Sequence, residues 1–506
     1  MAILQSVVFN ENAILKSLVV LAGALALILA VSSEANRAQL PKGARLPPGP
    51  KGYPIIGTLA DIAPQHSWLK FKEWADEYGP LFRFRLASQE HVVISTEKVA
   101  NDLLRERGSH YSSREQTVMA AELLSRNLRP LLLPYNDHWR RVRKLMHRLT
   151  MPSAAASYEP AQSLESKRML RNLLRRPSDY QEIFEQYSGG VPGSYLVDTI
   201  PMLKYLPEAL APFKREARRL HALELGLFRE LLDDTRAAMR AGTAAPSFAQ
   251  TFILEQDKFR LSDDEGAYAI GTLFEAGSGT TAAAMMSFCL AMTLHPEWQK
   301  PMWEEVDAVC GDRLPEFQDI PQLPTIRAVI KEVLRWRPVT AGGVPHQLTQ
   351  DDVYDGMFLK AGTIVHANQW AIHREEALYP DPESFNPARW LSRDYPTYRE
   401  PLSKFPSLQN FSCFGFGRRI CPGMNIAERS LYILTARLAW ACEFSKKRGP
   451  GGEEIEVPSY DYVSGFNTQP KPFPFDLRPR SELRQTLVEQ AFSDAEAMDP
   501  LRQSSS

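Results

Sequence analysis

One cysteine near the C-terminus stands in a segment whose residue types can support chemistry. Residues 414–423 read FGFGRRICPG, which places Cys421 among glycines, aromatic residues and two adjacent arginines. Such a cysteine can be a small buried apolar residue, half of a disulfide or a metal ligand. The five cysteines of the chain are an odd and scattered set, which does not indicate a disulfide framework. The segment alone leaves the buried and the ligand interpretations open.

A second group of candidate residues lies in the middle of a long helical pattern. Ser262 and Glu265 have the spacing of a capping box, and the pattern predicts a helix of about 33 residues, to position 295. Its middle, residues 274–284, reads FEAGSGTTAAA, in which two glycines and two threonines predict a distorted helix. The glycines serve either close packing against another helix or a groove for a flat ligand and a small molecule, with the Thr280 hydroxyl facing them.

Two further sets combine charge with helical spacing. Trp139 and Arg143 are four residues apart and share a helix face, so together they can hold a carboxylate, or they can belong to an amphipathic surface helix. Glu332 and Arg335 are three residues apart and can pair, either as an exposed ion pair or in a buried network that Arg389 joins.

The elements that must position these residues are mostly helical. Residues 99–334 show a mainly helical pattern, and another helix is predicted from 424 to 442. Strand-like runs at 81–86 and 91–95 predict a hairpin, and residues 353–365 predict strands with a turn at Asp355-Gly356. The chain has 506 residues, 44% hydrophobic and 24% charged, and its net charge of -1 argues against nucleic-acid binding. These features predict one large helix-rich α+β domain.

The N-terminus differs from the rest of the chain. Residues 18–31 form an uncharged apolar run that, extended back to residue 13, is close to the ~20 residues that cross a bilayer, and positive residues follow it. We therefore expect a retained signal anchor rather than a cleaved signal peptide, with the remaining chain in the cytosol. The predicted divisions are an anchor at 1–32, a basic, proline-rich linker at 33–53, a catalytic domain at 54–484 and a polar tail at 485–506.

Together these segments resemble the cytochrome P450 family. The cysteine segment matches the family's haem-ligand loop, Phe-x-x-Gly-x-Arg-x-Cys-x-Gly, and Glu332-x-x-Arg335 resembles its paired motif. Trp139-x-x-x-Arg143 is similar to the motif that binds the haem carboxylates, and AGSGTT to the oxygen-binding helix motif. An apolar span followed by a proline-rich hinge is typical of microsomal members. Details such as FNPARW look most like fungal members that modify secondary metabolites.

The resemblance implies a haem-thiolate monooxygenase of cytochrome P450 fold, with Cys421 as the axial ligand of haem b iron. Thr280 is expected to assist oxygen activation, and Arg389 to complete the network of Glu332 and Arg335. Residues expected to bind the haem are Trp139, Arg143, His346, Phe414, Gly417, Arg419, Cys421 and Gly423. Residues expected to contact substrate are Phe274, Ala276, Val339, Val344 and Phe466.

The family also implies roles within the cysteine loop and a set of partners. Phe414 is expected to shield the sulfur, Gly417 to let the loop approach the porphyrin, and Gly423 to start the next helix tightly. Electrons would come from NADPH through NADPH–cytochrome P450 reductase, with cytochrome b5 as a further partner. The other expected partners are O2, a lipophilic small molecule and the endoplasmic reticulum membrane, which the chain would cross once.

Two departures from the family pattern keep other functions open. Gly279 stands where the family usually has an acid before the threonine, and Glu275, about one turn earlier, is not a simple replacement. A haem-thiolate isomerase or dehydratase would not need that acid. Residues 189–193 bridge two helical regions abruptly, which suggests an internal deletion. A real deletion would favour a membrane haem protein that binds ligand without turnover.

Overall fold

The computed structural model describes residues 40–185 and 212–498, and helices dominate both ranges. The long helices there are α1 Ser67–Tyr78, α2 Asp137–Thr150, α3 Glu159–Arg175, α4 Pro212–Ala241, α5 Phe248–Phe259, α6 Asp263–Leu294, α7 Gln299–Cys310, α8 Pro324–Trp336, α9 Met424–Ala441 and α10 Glu482–Ala497. Short α-helices lie at Glu97–Ala100, Gly108–Tyr111, Pro152–Ser157, Tyr180–Glu185 and Gln369–Ile372. Six short 3-10 turns and the π-helical segments Asn101–Glu106 and Val118–Leu124 connect these helices within the described ranges.

The strands form a smaller part beside the helices. They are β1 Leu81–Leu86, β2 Gln89–Ile94, β3 His346–Gln347, β4 Asp352–Tyr354, β5 Met357–Leu359, β6 Ile364–Ala367, β7 Cys442–Lys446 and β8 Phe475–Pro479. One sheet has the order β1-β2-β6-β3, in which β2 and β6 are parallel and the other pairs antiparallel. The strands β4 and β5 form a hairpin, and β7 pairs with β8. The helix-rich α+β fold expected from the sequence is confirmed.

The main core surrounds the long helix α6. Ser262 caps it, and the side chains of Ser262 and Glu265 each bond the other's backbone, which is the capping box read from the sequence. The C-terminal half of α6 packs against α8, α9 and β7, and its buried side chains there are largely apolar. Burial of this apolar surface stabilises the fold and fixes the position of the helix face that the glycines leave open.

Two predicted boundaries differ from the structure. The polar tail expected from residue 485 is helical as far as Ala497, because Ser481 caps α10 and buried Val488 and Phe492 attach it to α3. The end of the expected linker is part of the globule: the backbone of Arg45 bonds both Gly356 and Phe358. Unpaired strand edges accept such segments, because their backbone groups need partners.

The predicted location, a single-pass protein of the endoplasmic reticulum membrane, is contradicted. Among residues 40–185 and 212–498, no helix combines the length and the apolar character needed to span a bilayer. The expected anchor, residues 1–32, lies outside the described residues.

Candidate functional site

The loop around Cys421 is held by its own backbone. It contains two 3-10 turns, Ser412–Phe414 and Gly417–Arg419, and the Cys421 N–H donates a 2.8 Å hydrogen bond to the Phe414 carbonyl oxygen. Gly417 has φ +54°, and a Cβ there would lie 2.1 Å from the Leu104 carbonyl oxygen. Glycine at this position is therefore required by its conformation and by the neighbouring segment Asn101–Glu106, and the approach to a porphyrin that we expected it to permit stays a prediction.

The sulfur of Cys421 lies at the N-terminus of α9. A Cβ on Gly423, the residue before this helix, would be 3.9 Å from Sγ. Burial raises the pKa of the Cys421 thiol, while backbone N–H groups of Gly423 and Met424 and the charge of Arg143 act in the opposite direction. A thiolate here needs a further positive partner, which a metal ion supplies.

Cationic side chains converge beside this loop. Arg143, on α2, donates from Nη2 to the Ile420 carbonyl oxygen at 2.6 Å. Arg419 donates to the carbonyl oxygens of Ser112 and Leu133, at 2.7 Å each, and its guanidinium carbon lies 4.3 Å from the centroid of the Trp139 ring. The helix spacing of Trp139 and Arg143 thus places both on the face of α2 that points to the cysteine loop.

Arg114 belongs to the same group, although no pattern in the sequence indicated it. It is almost fully buried, 4% exposed, and it donates to the carbonyl oxygens of Val344, at 2.8 Å, and Pro345. The next residue, His346, is also buried, and its Nδ1 lies 2.6 Å from the Tyr111 carbonyl oxygen. Arg114 follows a short helix and lies in a polar stretch, so only the fold shows its proximity to the cysteine loop.

These cations, of which Arg114 is buried and Arg143 and Arg419 are partly buried, lack a matching negative charge in the described part of the chain. Among residues 40–185 and 212–498, no carboxylate forms an ion pair with Arg114, Arg143 or Arg419. Burial lowers the pKa of Arg114 to about 9; burial and the two neighbouring arginines lower that of Arg419 to about 8. Burial and Arg114 also hold the pKa of His346 well below its usual value. A cluster of cations of this kind, largely withdrawn from solvent, is stabilised by an anion, and the two carboxylates of a haem beside Cys421 fit it.

The middle of α6 leaves open space where the sequence predicted a groove. The helix is unbroken through residues 274–284, contrary to the expected distortion. A Cβ on Gly277 would meet no described atom within 4 Å, and Phe274 is 66% exposed. The Thr280 hydroxyl donates to the Ala276 carbonyl oxygen at 2.6 Å, so its proton is engaged while its oxygen can still accept a hydrogen bond.

Glu275 is held away from the position of the missing acid. Its carboxylate accepts a 2.5 Å hydrogen bond from Arg129, which also pairs with Glu224 of α4. This geometry agrees with the sequence argument that Glu275 does not simply replace an acid at Gly279.

The other residues that we expected to contact substrate lie in two loops, one with Val339 and Val344 and one with Phe466. A hydrogen bond joins the two loops, because Thr468 donates its N–H to the Val339 carbonyl oxygen at 2.7 Å.

The structure assembles the second charged set as a buried network. The carboxylate of Glu332 accepts from Arg335 at 2.9 and 2.7 Å and from Arg389 at 3.2 Å. The indole N–H of Trp390 donates to the same carboxylate at 3.1 Å. All three charged side chains are at most 1% exposed. Such a network fixes α8 against the segment that carries Arg389.

Comparison with known proteins identifies the group to which this chain is related. The cytochrome P450 family model matches residues 47–188 and 172–473. The chain belongs to the cytochrome P450 family. It is 36% identical over 484 residues to the cytochrome P450 monooxygenase virE of Hypocrea virens, with 88% of each chain covered. It is also 36% identical over 471 residues to the monooxygenase fogE of Aspergillus ruber, with 86% of this chain and 87% of the relative covered.

The predicted resemblance to fungal P450 enzymes and the predicted monooxygenase class are therefore confirmed. A solved zebrafish cytochrome P450 with abiraterone has a TM-score of 0.64 and 24% identity, over 82% of this chain and 100% of that one. This likeness shows the fold. P450 enzymes contain haem, use O2 and receive electrons from a redox partner, so these coarser expectations also hold for this chain.

The same matches bear on residues 189–193, which lie outside the described residues. The family model matches this P450 as two segments that overlap just before that point. The virE alignment runs over 484 positions but covers 88% of 506 residues, about 445, so about 40 aligned positions have no counterpart in this chain. These lengths agree with an internal deletion, which stays a prediction.

Proposed function

We propose that Cys421 is the axial thiolate ligand of haem b, and that the surrounding residues hold this haem for the monooxygenation of a lipophilic small molecule. The observation that carries the proposal is the group formed by buried Arg114 and partly buried Arg143 and Arg419 beside the cysteine loop, without a carboxylate partner in the described ranges. A haem supplies both what the sulfur needs, a positive metal, and what the arginines need, two carboxylates.

The side chains near the loop have distinct roles in this proposal. Arg114, Arg143 and Arg419 would bind the propionates by charge-assisted hydrogen bonds, and Trp139 would donate its ring N–H. The Nδ1–H of His346 is donated to the Tyr111 carbonyl oxygen, so His346 would donate to a propionate from Nε2 only in its protonated form. Phe414 would exclude water from the sulfur, and the N–H groups at the start of α9 would stabilise its negative charge. When bound, the haem supplies the activation of O2 and the transfer of one oxygen atom, which thiolate ligation favours.

The open face of α6 would form the reaction side of the pocket. Because the Thr280 proton is donated to Ala276, the Oγ1 atom of Thr280 is available to accept a hydrogen bond from a water molecule and to hold it near the reacting oxygen. Phe274 and Ala276 on this helix, with Val339, Val344 and Phe466 from the two bonded loops, would surround the substrate. Their apolar surface selects a lipophilic molecule.

The finer partners are part of the proposal. We propose NADPH–cytochrome P450 reductase as the electron donor, with cytochrome b5 as an accessory donor, and a secondary metabolite as the substrate. The paired-arginine network of Glu332, Arg335 and Arg389 would act on the scaffold and not on the substrate, since its members are buried away from the loop surface.

The test of the ligand is spectroscopic. Purified protein loaded with haem, reduced and exposed to carbon monoxide should show the red-shifted Soret band of thiolate-ligated iron. Cys421→Ser should lose this band, whereas Cys413→Ser, which changes a partly buried cysteine outside the motif's ligand position, should retain it. A wild-type protein that binds haem without this band would refute the proposal.

The test of the reaction follows labelled oxygen. With NADPH and the reductase, one atom of labelled O2 should appear in the product. Product formed without NADPH and O2 would instead support the isomerase or dehydratase that Gly279 left open. Haem binding without any product would support the non-catalytic alternative.

A further inference from the structure

The helix α4 has two apolar faces, of which one is buried in the fold. The buried residues of α4 are Ala217, His221, Phe228 and Leu232, and the helix packs against α6 and the segment Val118–Leu124. The ring centroid of Phe228, for example, lies 5.4 Å from that of Tyr268 on α6. The core of the described chain therefore explains this first face.

The second apolar face of α4 is a row of three exposed leucines. Leu223, Leu227 and Leu231 are four residues apart, so they follow one another along one side of the helix. Their exposed fractions are 59%, 53% and 53%. Single exposed leucines are ordinary on protein surfaces, whereas a continuous apolar patch marks a surface for association. We call these three residues the leucine row.

A glycine borders the leucine row. Gly226 lies inside α4, three residues after Leu223, and a Cβ built on it would meet no described atom within 4 Å. Glycine in a helix interior costs about 1 kcal/mol relative to alanine, and no contact in the described ranges requires it here. A missing side chain beside an apolar row lets the backbone of another helix approach closely.

The charges at the two ends of the leucine row are of opposite sign. Four of the five charged residues at 214–219 are basic, and three of the five at 229–236 are acidic. Arg219, with its side chain 58% exposed, precedes Leu227 by eight residues, and exposed Asp234 follows Leu227 by seven. At 1.5 Å per residue, these charges lie about 12 Å and about 11 Å from the centre of the row. Basic residues near the start of a helix oppose its dipole, so they do not stabilise α4 itself.

A second copy of the chain complements this pattern. If a two-fold axis passes at Leu227, an antiparallel α4 of the second copy places its Leu231 against Leu223 and its Asp234 near Arg219. A parallel arrangement would instead bring like charges together at both ends of the row. Arg219 pairs with Glu216 at 2.7 Å within the chain, but an exposed pair contributes only about 0–1 kcal/mol and can be exchanged.

We propose that the leucine row of α4 is a self-association surface, at which two copies of this chain pair their α4 helices antiparallel about a two-fold axis at Leu227. One helix pair buries less than the ~800 Å² per partner of a stable complex, so the dimer is weak and depends on concentration. Because this contact uses the same surface on both copies, it closes at two chains. The inference uses neither the haem nor the proposed reaction.

The first experiment measures association of the haem-loaded full chain by sedimentation velocity, over about a hundredfold range of protein concentration in one detergent buffer. Leu227→Glu should weaken the dimer at least about tenfold, because two carboxylates would meet at the axis. Leu254→Glu is the matched control: Leu254 is 68% exposed on α5, outside the row, and its replacement should leave association unchanged. Arg219→Glu should also weaken the dimer, and adding Asp234→Arg to it should restore association.

The second experiment determines the direction of the two helices. Leu223→Cys and Leu231→Cys proteins are oxidised with copper phenanthroline, separately and as a mixture, with wild type as the background. An antiparallel pair should give a disulfide-linked dimer in the mixture and none above background in either variant alone, since a disulfide needs Cα atoms within about 7 Å. Leu227→Cys, at the axis, should cross-link by itself.

The remaining outcomes would each overturn the inference. These are a wild-type protein that stays monomeric, equal association of Leu227→Glu and Leu254→Glu, or cross-linking of Leu223→Cys with itself but not with Leu231→Cys. A monomer that Leu227→Glu destabilises in urea would show that the same chain covers the row. A monomer whose binding to phosphatidylcholine–phosphatidylserine vesicles is lost in Leu227→Glu would assign the row to lipid. The reduced carbon monoxide band checks that each variant is folded, and if Leu227→Glu is not, the cross-links decide.

Discussion

Replacement of Glu332 by glutamine should reduce the free energy of unfolding by about 3–5 kcal/mol, the range for breaking a buried ion pair at one partner. Three hydrogen bonds from Arg335 and Arg389 reach the carboxylate, and all three side chains are at most 1% exposed. Glutamine has nearly the same shape, so packing is conserved. The loss arises because two buried guanidinium groups remain without their negative partner.

The assay is urea unfolding of the haem-loaded protein, followed by the Soret band and by far-ultraviolet circular dichroism. Glu73→Gln is the matched control. Glu73 also pairs with a cation three residues away, Lys70, at 2.8 Å, but its side chain is 65% exposed. An exposed pair contributes about 0–1 kcal/mol, so this variant should be close to wild type.

The reasoning would be refuted by equal stability of the two variants. A difference below about 1 kcal/mol between Glu332→Gln and Glu73→Gln would mean that solvent reaches the network, or that backbone carbonyls alone satisfy Arg335. Arg335 does donate to the carbonyl oxygens of His373, Pro382 and Ser384, so this alternative is physically defined.

Three further predictions concern other parts of the chain. Arg114→Leu should weaken haem binding about 10- to 100-fold, because a charged hydrogen bond is lost. The control is Arg140→Leu, which should leave haem binding unchanged because the Arg140 side chain is 54% exposed. The rate of haem transfer to apomyoglobin measures haem binding in both variants. Phe492→Ala should lower the free energy of unfolding, measured in urea, by about 3–5 kcal/mol, since this ring is 1% exposed. Leu483→Ala is the control: Leu483 is exposed on the same helix, so this change should alter the free energy of unfolding by about 0.5 kcal/mol or less. Transcript sequencing across the codons for residues 190–192 should reveal additional coding sequence; an uninterrupted transcript without it would contradict the deletion.

Local sequence signals predicted much of the fold. The capping box at Ser262 predicted the start of α6, and the helical pattern that follows it predicted its length. Both signals depend on residues that are near each other in the chain. The Asp355-Gly356 turn was equally local: both residues have positive φ, which joins β4 to β5. The helical tail at residues 485–498 was missed, because its two buried contacts are with a helix more than 300 residues earlier.

The residues of the candidate site also fall into those that local sequence patterns predicted and those that they did not. The motif around Cys421 and the spacing of Trp139 and Arg143 indicated a ligand loop and a carboxylate-binding helix. The sequence did not indicate Arg114, and it did not indicate that Gly417 lies against the Leu104 backbone. Both omissions concern contacts between segments that are distant in the chain.

By itself, the sequence determined that one cysteine is surrounded by the residue types of a haem-thiolate loop, because ligand chemistry and helix capping depend on a few adjacent residues. The tertiary structure decided which cations reach that loop and which of them lack a partner within the described ranges. Burial and charge compensation depend on every segment that packs around a group, and so only the folded chain fixes them.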